Sequence, residues 1–171
     1  MTHKTYEIEA ETRFLIPKTE LPKLFVPQKT HTIPALTQIR TYHIAQKWLS
    51  KGLTDNQVEY RTRVRAQTQV VPTMNKPIYT YTTKFRVSEN ADIEVNAPLT
   101  RNEYDTIAAM YEGKMVNKTR IVAQDNQTGL YYTFDIYDGE PNIRVEIEFN
   151  STGKLGEYTK PEWLTAIEIK E

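Results

Sequence analysis

Cysteine is absent from the 171-residue chain, which excludes disulfide scaffolds, thiolate metal centres and cysteine nucleophiles. A surplus of either charge sign is missing as well: 22 Lys+Arg face 22 Asp+Glu, and the isoelectric point lies near 6.9. That balance argues against a surface built for nucleic acid or an anionic membrane, both of which need a basic excess. No apolar run approaches the roughly 18 residues of a membrane span, and the opening Met-Thr-His-Lys-Thr-Tyr-Glu lacks the apolar stretch of a secretory leader. The expected setting is cytoplasmic, with no membrane partner. Serine is scarce, and none of Ser50, Ser88 and Ser151 stands in a Gly-x-Ser-x-Gly setting, which disfavours serine hydrolysis. His3, His31 and His43 have no ligand spacing, so a zinc site is not expected. Gly113-Lys114 and Gly153-Lys154 lack the upstream glycine of a phosphate-binding P-loop.

What is present is alternation. Tyr6 to Pro17, Gln38 to Ala45, Tyr60 to Gln69, Ile78 to Val87 and Asp92 to Ala97 read as strands, as do Met115 to Ala123, Leu130 to Tyr137 and Ile143 to Asn150. Glu20 to Val26 holds at most a turn of helix, and residues 27–34 read as loop. Thr100 opens the clearest helix, with Glu103 three residues on as in a capping box and Gly113 as its stop. Asn126–Gly129 and Asp138–Asn142 supply hairpin turns. The tail from Ser151 reads as polar loop, with Pro161-Glu-Trp163 leading into a last extended piece. No repeat, low-complexity tract or long linker divides the chain, so residues 1–171 are expected to form a single domain, mainly β with one antiparallel sheet system. Alternation alone leaves open whether that sheet closes.

Along these strands one face is charged. Glu7, Glu9, Glu11, Asp92, Glu94, Asp135, Glu146 and Glu148 are in phase with Arg13, Arg61, Arg63, Arg65, Lys84, Arg86, Lys118, Arg120 and Arg144. A solvated outer face produces such alternation too. Two details favour another origin. Whole strands carry nearly one sign, with acids at 7, 9 and 11 and arginines at 61, 63 and 65. Arginine also outnumbers lysine there, and its fork suits phosphate and carboxylate. If the sheet closes, that face becomes a tunnel whose bases hold a polyanion and whose carboxylates hold a divalent metal. Tyr79, Tyr81, Tyr131 and Tyr132, lacking a basic excess around them, read as strand packing rather than a base-stacking platform.

These segments resemble a known family. Glu9-Ala-Glu11-Thr-Arg13 resembles the N-terminal ExExK signature of the CYTH superfamily, the triphosphate tunnel metalloenzymes. Arg61-Thr-Arg63-Val-Arg65 is similar to the family's alternating-arginine strand, and Tyr79 to Lys84 to its Leu-Thr-x-Lys strand. Asp92-Ile-Glu94, Lys118-Thr-Arg120, Asp135 to Gly139 and Glu146-Ile-Glu148 resemble its later motifs in the family's order, and Pro161-Glu-Trp163 with Glu168-Ile169 its closing segment. Arg13 departs from the motif lysine, Asn96 from an acid sometimes found there, and Arg40 from a common glutamine.

The resemblance implies an eight-stranded antiparallel β-barrel, or tunnel, with a few flanking helices. It implies a divalent-metal-dependent hydrolase of triphosphate substrates, inorganic triphosphate first, with Mg²⁺ or Mn²⁺ activating water. The metal would sit on Glu9, Glu11, Glu146 and Glu148. The phosphates would meet Arg13, Arg40, Arg61, Arg63, Arg65, Lys84, Arg86, Lys118 and Arg120. Lys84, Glu94 and Asp135 are the further catalytic candidates. A class IV adenylyl cyclase, a thiamine or nucleoside triphosphatase, and a non-catalytic polyphosphate or nucleotide binder are the alternatives. A triphosphate-containing small molecule is the expected partner, with no nucleic acid beyond a nucleotide substrate, and the chain is expected as a monomer or homodimer.

Overall fold

The computed structural model describes residues 5–27, 33–74 and 76–170; His3, His31, Asn75 and most of the expected 27–34 loop lie outside them. Eight antiparallel strands close into a barrel in the order β1-β5-β4-β3-β2-β6-β7-β8. The strands are β1 (Thr5–Pro17), β2 (Leu36–Leu53), β3 (Glu59–Val71), β4 (Ile78–Ser88), β5 (Ala91–Leu99), β6 (Val116–Asp125), β7 (Tyr131–Tyr137) and β8 (Asn142–Phe149). Closure depends on β1 changing partners midway. Its first half, through Ala10, pairs with β5, and from Ala10 onward it pairs with β8. Ala10 faces both Ala91 and Phe149 and is fully buried, so the crossover falls on a residue small enough for close approach.

The apolar core lies outside the barrel. Ile16, Leu36, Ala123, Tyr132, Phe134, Ile143, Val145 and Ile147 point outward from the wall and are covered by Leu21 and Leu24 of a one-turn helix α1 (Leu21–Leu24) and by Leu164 of α4 (Glu162–Ile167). Burying a side chain such as Phe134 stabilises by about 2–3 kcal/mol. Trp163 Nε1 donates to the buried carboxylate of Asp125 at 2.9 Å, fixing α4 on the wall. Because side chains alternate, an apolar outer face leaves the inner face to the charged residues.

The helix expected after Thr100 is α2 (Arg101–Met110), and both bonds of its capping box form: Glu103 N–H donates to Thr100 Oγ1 at 3.2 Å, and Thr100 N–H to Glu103 Oε1 at 2.8 Å. The turns expected at 126–129 and 138–142 place Gly129 and Gly139 at φ of 78° and 79°, where a Cβ would be strained. Two expectations fail. The tail is not loop followed by an extended piece: α3 (Thr152–Glu157) is capped by Ser151 Oγ, and α4 follows Pro161, because Leu164 gains burial on the barrel only as part of a helical face. Strand β2 also runs eight residues past Ala45, to Leu53. A register shift between Trp48 and Lys51 interrupts the alternation there, so the period that marks a strand is lost. Among the described residues no helix is long and apolar enough to cross a membrane.

Candidate functional site: the charged tunnel

Register decides which charges meet inside the barrel. One row runs from Glu94 on β5 through Lys84 on β4 to Arg61 on β3, and another from Glu9 on β1 through Asp92 to Arg86. On the far wall Arg13 faces Glu146 and Glu11 faces Glu148. Arg120 on β6 faces Asp135 on β7.

Three carboxylates converge at the β1 crossover. Glu9, Glu11 and Glu148 each bring an oxygen within 4.8 Å of the others. Burial pushes the Glu9 carboxyl up to about 9, helped by its hydrogen bond with Glu94 and opposed by Lys84. Glu148 is also raised, by burial and then by Glu11 and Glu146. Burial acts upward on Glu94 as well, but Glu9, Lys84, Asn96 and Arg63 together hold it below the usual carboxylate range. Asn96 Nδ2 donates to Glu94 at 3.0 Å, and Thr82 Oγ1 donates to Asn96 Oδ1 at 2.6 Å, so the departure at position 96 supplies a neutral prop for an acid.

The bases divide into spent and unspent. Arg120 Nε and Nη2 form a fork on Asp135 at 2.7 and 2.8 Å, and Lys118 Nζ donates to the same carboxylate at 2.7 Å. Burial would raise Asp135, yet Arg120 and Lys118 hold it at about 2. Lys118 itself is pushed down to about 8 by burial and by Arg120. Arg86 Nε contacts Asp92 at 3.0 Å, and Arg13 joins Glu11 at 2.5 Å and Glu146 at 3.2 Å. Arg65 donates to Gln46 Oε1 at 3.2 and 2.8 Å, and burial with Arg63 and Arg120 pushes it down to about 9. Among the described residues, the buried Nε atoms of Arg61 and Arg63 have no hydrogen-bond partner.

No protein-family model and no curated protein sequence matches the chain. Among solved structures it is similar to a candidate adenylate cyclase, bh2851 of Bacillus halodurans, with TM-score 0.51 and 14% identity over 94% of this chain and 97% of that one. It is also similar to the inorganic triphosphatase NE1496, with TM-score 0.47 and 22% identity over 91% of this chain and 82% of that one. The closed barrel with charge inside and core outside decides the fold.

The chain shares the closed antiparallel barrel fold of the bh2851 structure.

Within the tunnel, the residues singled out from the sequence separate into distinct clusters. Glu9, Glu11 and Glu148 are together, while Glu146 lies with Arg13. Lys84 bridges Glu9 at 2.9 Å and Glu94 at 3.2 Å. Arg61, Arg63 and Arg65 line β3, and Asp135 is locked against Lys118 and Arg120. Arg40 is exposed, opposite Val122, and Glu7 is exposed at the start of β1. Sequence reasoning missed Gln46, which holds Arg65, and Trp48, whose ring lies under Arg61 and Arg63. Only the β2–β3 register reveals either contact.

Proposed function

We propose that the tunnel binds a triphosphate-containing small molecule together with a divalent cation and hydrolyses it, inorganic triphosphate being the preferred substrate. One observation carries this reading: among the described residues the Nε donors of Arg61 and Arg63 are buried without an acceptor, on the strand where Arg65 is held by the Gln46 amide. Unsatisfied buried donors cost free energy, and phosphate oxygens supply charged acceptors in the geometry a guanidinium fits.

The carboxylates fit the cation. Glu9, Glu11 and Glu148 offer hard oxygen donors within 4.8 Å of one another, a donor set suited to Mg²⁺ or Mn²⁺. A divalent cation bound there offsets their mutual repulsion, neutralises phosphate charge and makes a neighbouring water more acidic. The chain's own part is positioning. Arg61, Arg63 and Arg65 grip the phosphates. Lys84 and Glu94 face the phosphoryl group and its nucleophile, and Asp135 acts through Arg120 and Lys118, whose orientation it fixes. Glu146, expected among the ligands, serves to hold Arg13.

The helices described here pack on the outside of the barrel, which favours a compact inorganic substrate over one needing a pocket for an organic group. Orthophosphate release with Mg²⁺ or Mn²⁺ from tripolyphosphate, ATP and thiamine triphosphate tests the assignment. Fastest turnover of tripolyphosphate is expected. Cyclic AMP formed from ATP would replace the hydrolase by a cyclase, and binding without turnover would replace it by a binder.

A further inference from the structure

The β2–β3 hairpin outruns the wall of the barrel. Pairing of β2 with β6 ends at Gln46, whereas its pairing with β3 continues to Leu53. The outer half of the hairpin is therefore a lip, and Trp48 sits on it opposite Arg63, in register with the tunnel face. Trp48 is 41% exposed, a large apolar surface to leave in water. The guanidinium carbons of Arg61 and Arg63 lie 5.4 and 5.3 Å from the centroid of its ring. A cavity of about 550 Å³ lined by Lys51, Arg61, Lys84 and Arg86 opens at the same end of the barrel.

Arg61 and Arg63 are two residues apart on one face and repel each other, and Arg63 is pushed down first by burial and in part by Arg61. Arg63 has one carboxylate at 3.9 Å, and Arg61 has one at 3.2 Å. Neither contact uses the orphaned Nε atoms. A second carboxylate would hold the guanidinia more firmly, but it would consume their donors and repel an incoming polyanion. An indole holds a guanidinium by its plane and leaves the donor edge free.

We propose that Trp48 is a positioning residue for phosphate binding: its ring clamps Arg61 and Arg63 by their faces so that their donor edges meet the anionic substrate at the tunnel mouth. The inference rests on the reading of the tunnel as a triphosphate site. It explains why a large aromatic stays exposed beside the mouth, and why two neighbouring arginines keep buried donors unspent.

The test is tripolyphosphate binding and turnover in the presence of Mg²⁺ by the full chain and by Trp48→Leu and Trp48→Phe. Loss of the two ring contacts in Trp48→Leu is expected to weaken binding about tenfold. The loss should fall on KM rather than kcat, and Trp48→Phe should restore most of it. In a Trp163→Phe background Trp48 is the remaining tryptophan, and its emission should change as tripolyphosphate is added. Should Trp48→Leu fail to fold, the partial effect in Trp48→Phe and the emission change carry the test. If the unaltered chain binds tripolyphosphate, but Trp48→Leu binds it equally well and the emission is unmoved, this inference alone is overturned. If the unaltered chain binds none, the triphosphate reading falls with it.

Discussion

Lys84 Nζ lies 2.9 Å from Glu9 Oε1 inside the barrel, and each side chain is only 8% exposed. That contact does not ionise Glu9. Lys84 is shared with Glu94 at 3.2 Å, and burial with the Glu94 hydrogen bond outweighs its pull, leaving the Glu9 carboxyl at about 9. The metal-free chain is therefore expected to hold a proton on the coupled Glu9–Glu94 pair near neutral pH, which limits the repulsion around the converging carboxylates until a cation arrives.

The sign of the resulting pH dependence follows from Glu9 binding its proton more tightly in the fold than in the unfolded chain. Its folded value of about 9 is above the ordinary 4.5, so its contribution to stability is complete below about 4.5 and is lost as pH rises through about 9. The urea midpoint of the metal-free chain is expected to fall across this window, and Glu9→Gln to flatten the fall. Calorimetry in buffers of different ionisation enthalpy should also record proton release when Mn²⁺ binds near neutral pH. A pH-independent difference between the two proteins would contradict the assignment.

Asp135→Asn removes the carboxylate that Arg120 and Lys118 share. Two neighbouring buried cations then lose the carboxylate they share, which is expected to cost about 3–5 kcal/mol in urea unfolding. Added tripolyphosphate should return part of the loss, because an anion in the tunnel takes over the missing charge.

Arg65→Met is expected to act in opposite directions on stability and binding. Arg65 is held at about 9 because burial and its cationic neighbours disfavour its charge, with an amide as its hydrogen-bond partner. An apolar replacement should stabilise the metal-free chain by about 1 kcal/mol. Tripolyphosphate binding should weaken about tenfold or more in the same protein, since a charge-assisted contact to phosphate is lost. Unfolding and binding titrations on one preparation test both halves.

Lys47 provides a contrast outside the tunnel. Its buried Nζ donates to Ala108 O at 2.7 Å and to Tyr111 O, tying the end of α2 to the wall. Lys47→Met is expected to cost about 1–3 kcal/mol of stability and to leave the affinity for tripolyphosphate unchanged. A change in affinity comparable to that of Arg65→Met would show that α2 shapes the tunnel.

Much of the barrel was legible because each strand keeps its own charge pattern, and Glu9, Glu11, Arg61, Arg63 and Arg65 needed only alternation to be placed on one face. What alternation cannot show is which residue lies opposite. Glu146 and Glu148 look equivalent along β8, but register sets Glu148 beside Glu11 and Glu146 beside Arg13. Trp48 and Gln46 acquire their roles from β3, more than ten residues away across a hairpin. The helices α3 and α4 leave little helical signal in the sequence because each is only six residues long, and α3 contains two glycines. Leu164, fully buried, shows that packing on the wall stabilises α4 where propensity does not.

The central claim is that triphosphate and divalent cation are held together in one tunnel, and the most direct measurement is the affinity for Mn²⁺ with and without tripolyphosphate. Each is expected to tighten the binding of the other by the same factor, as linkage requires, and Glu148→Gln should abolish most of that factor. Mn²⁺ and tripolyphosphate binding independently, or no Mn²⁺ binding in the unaltered chain, would contradict it.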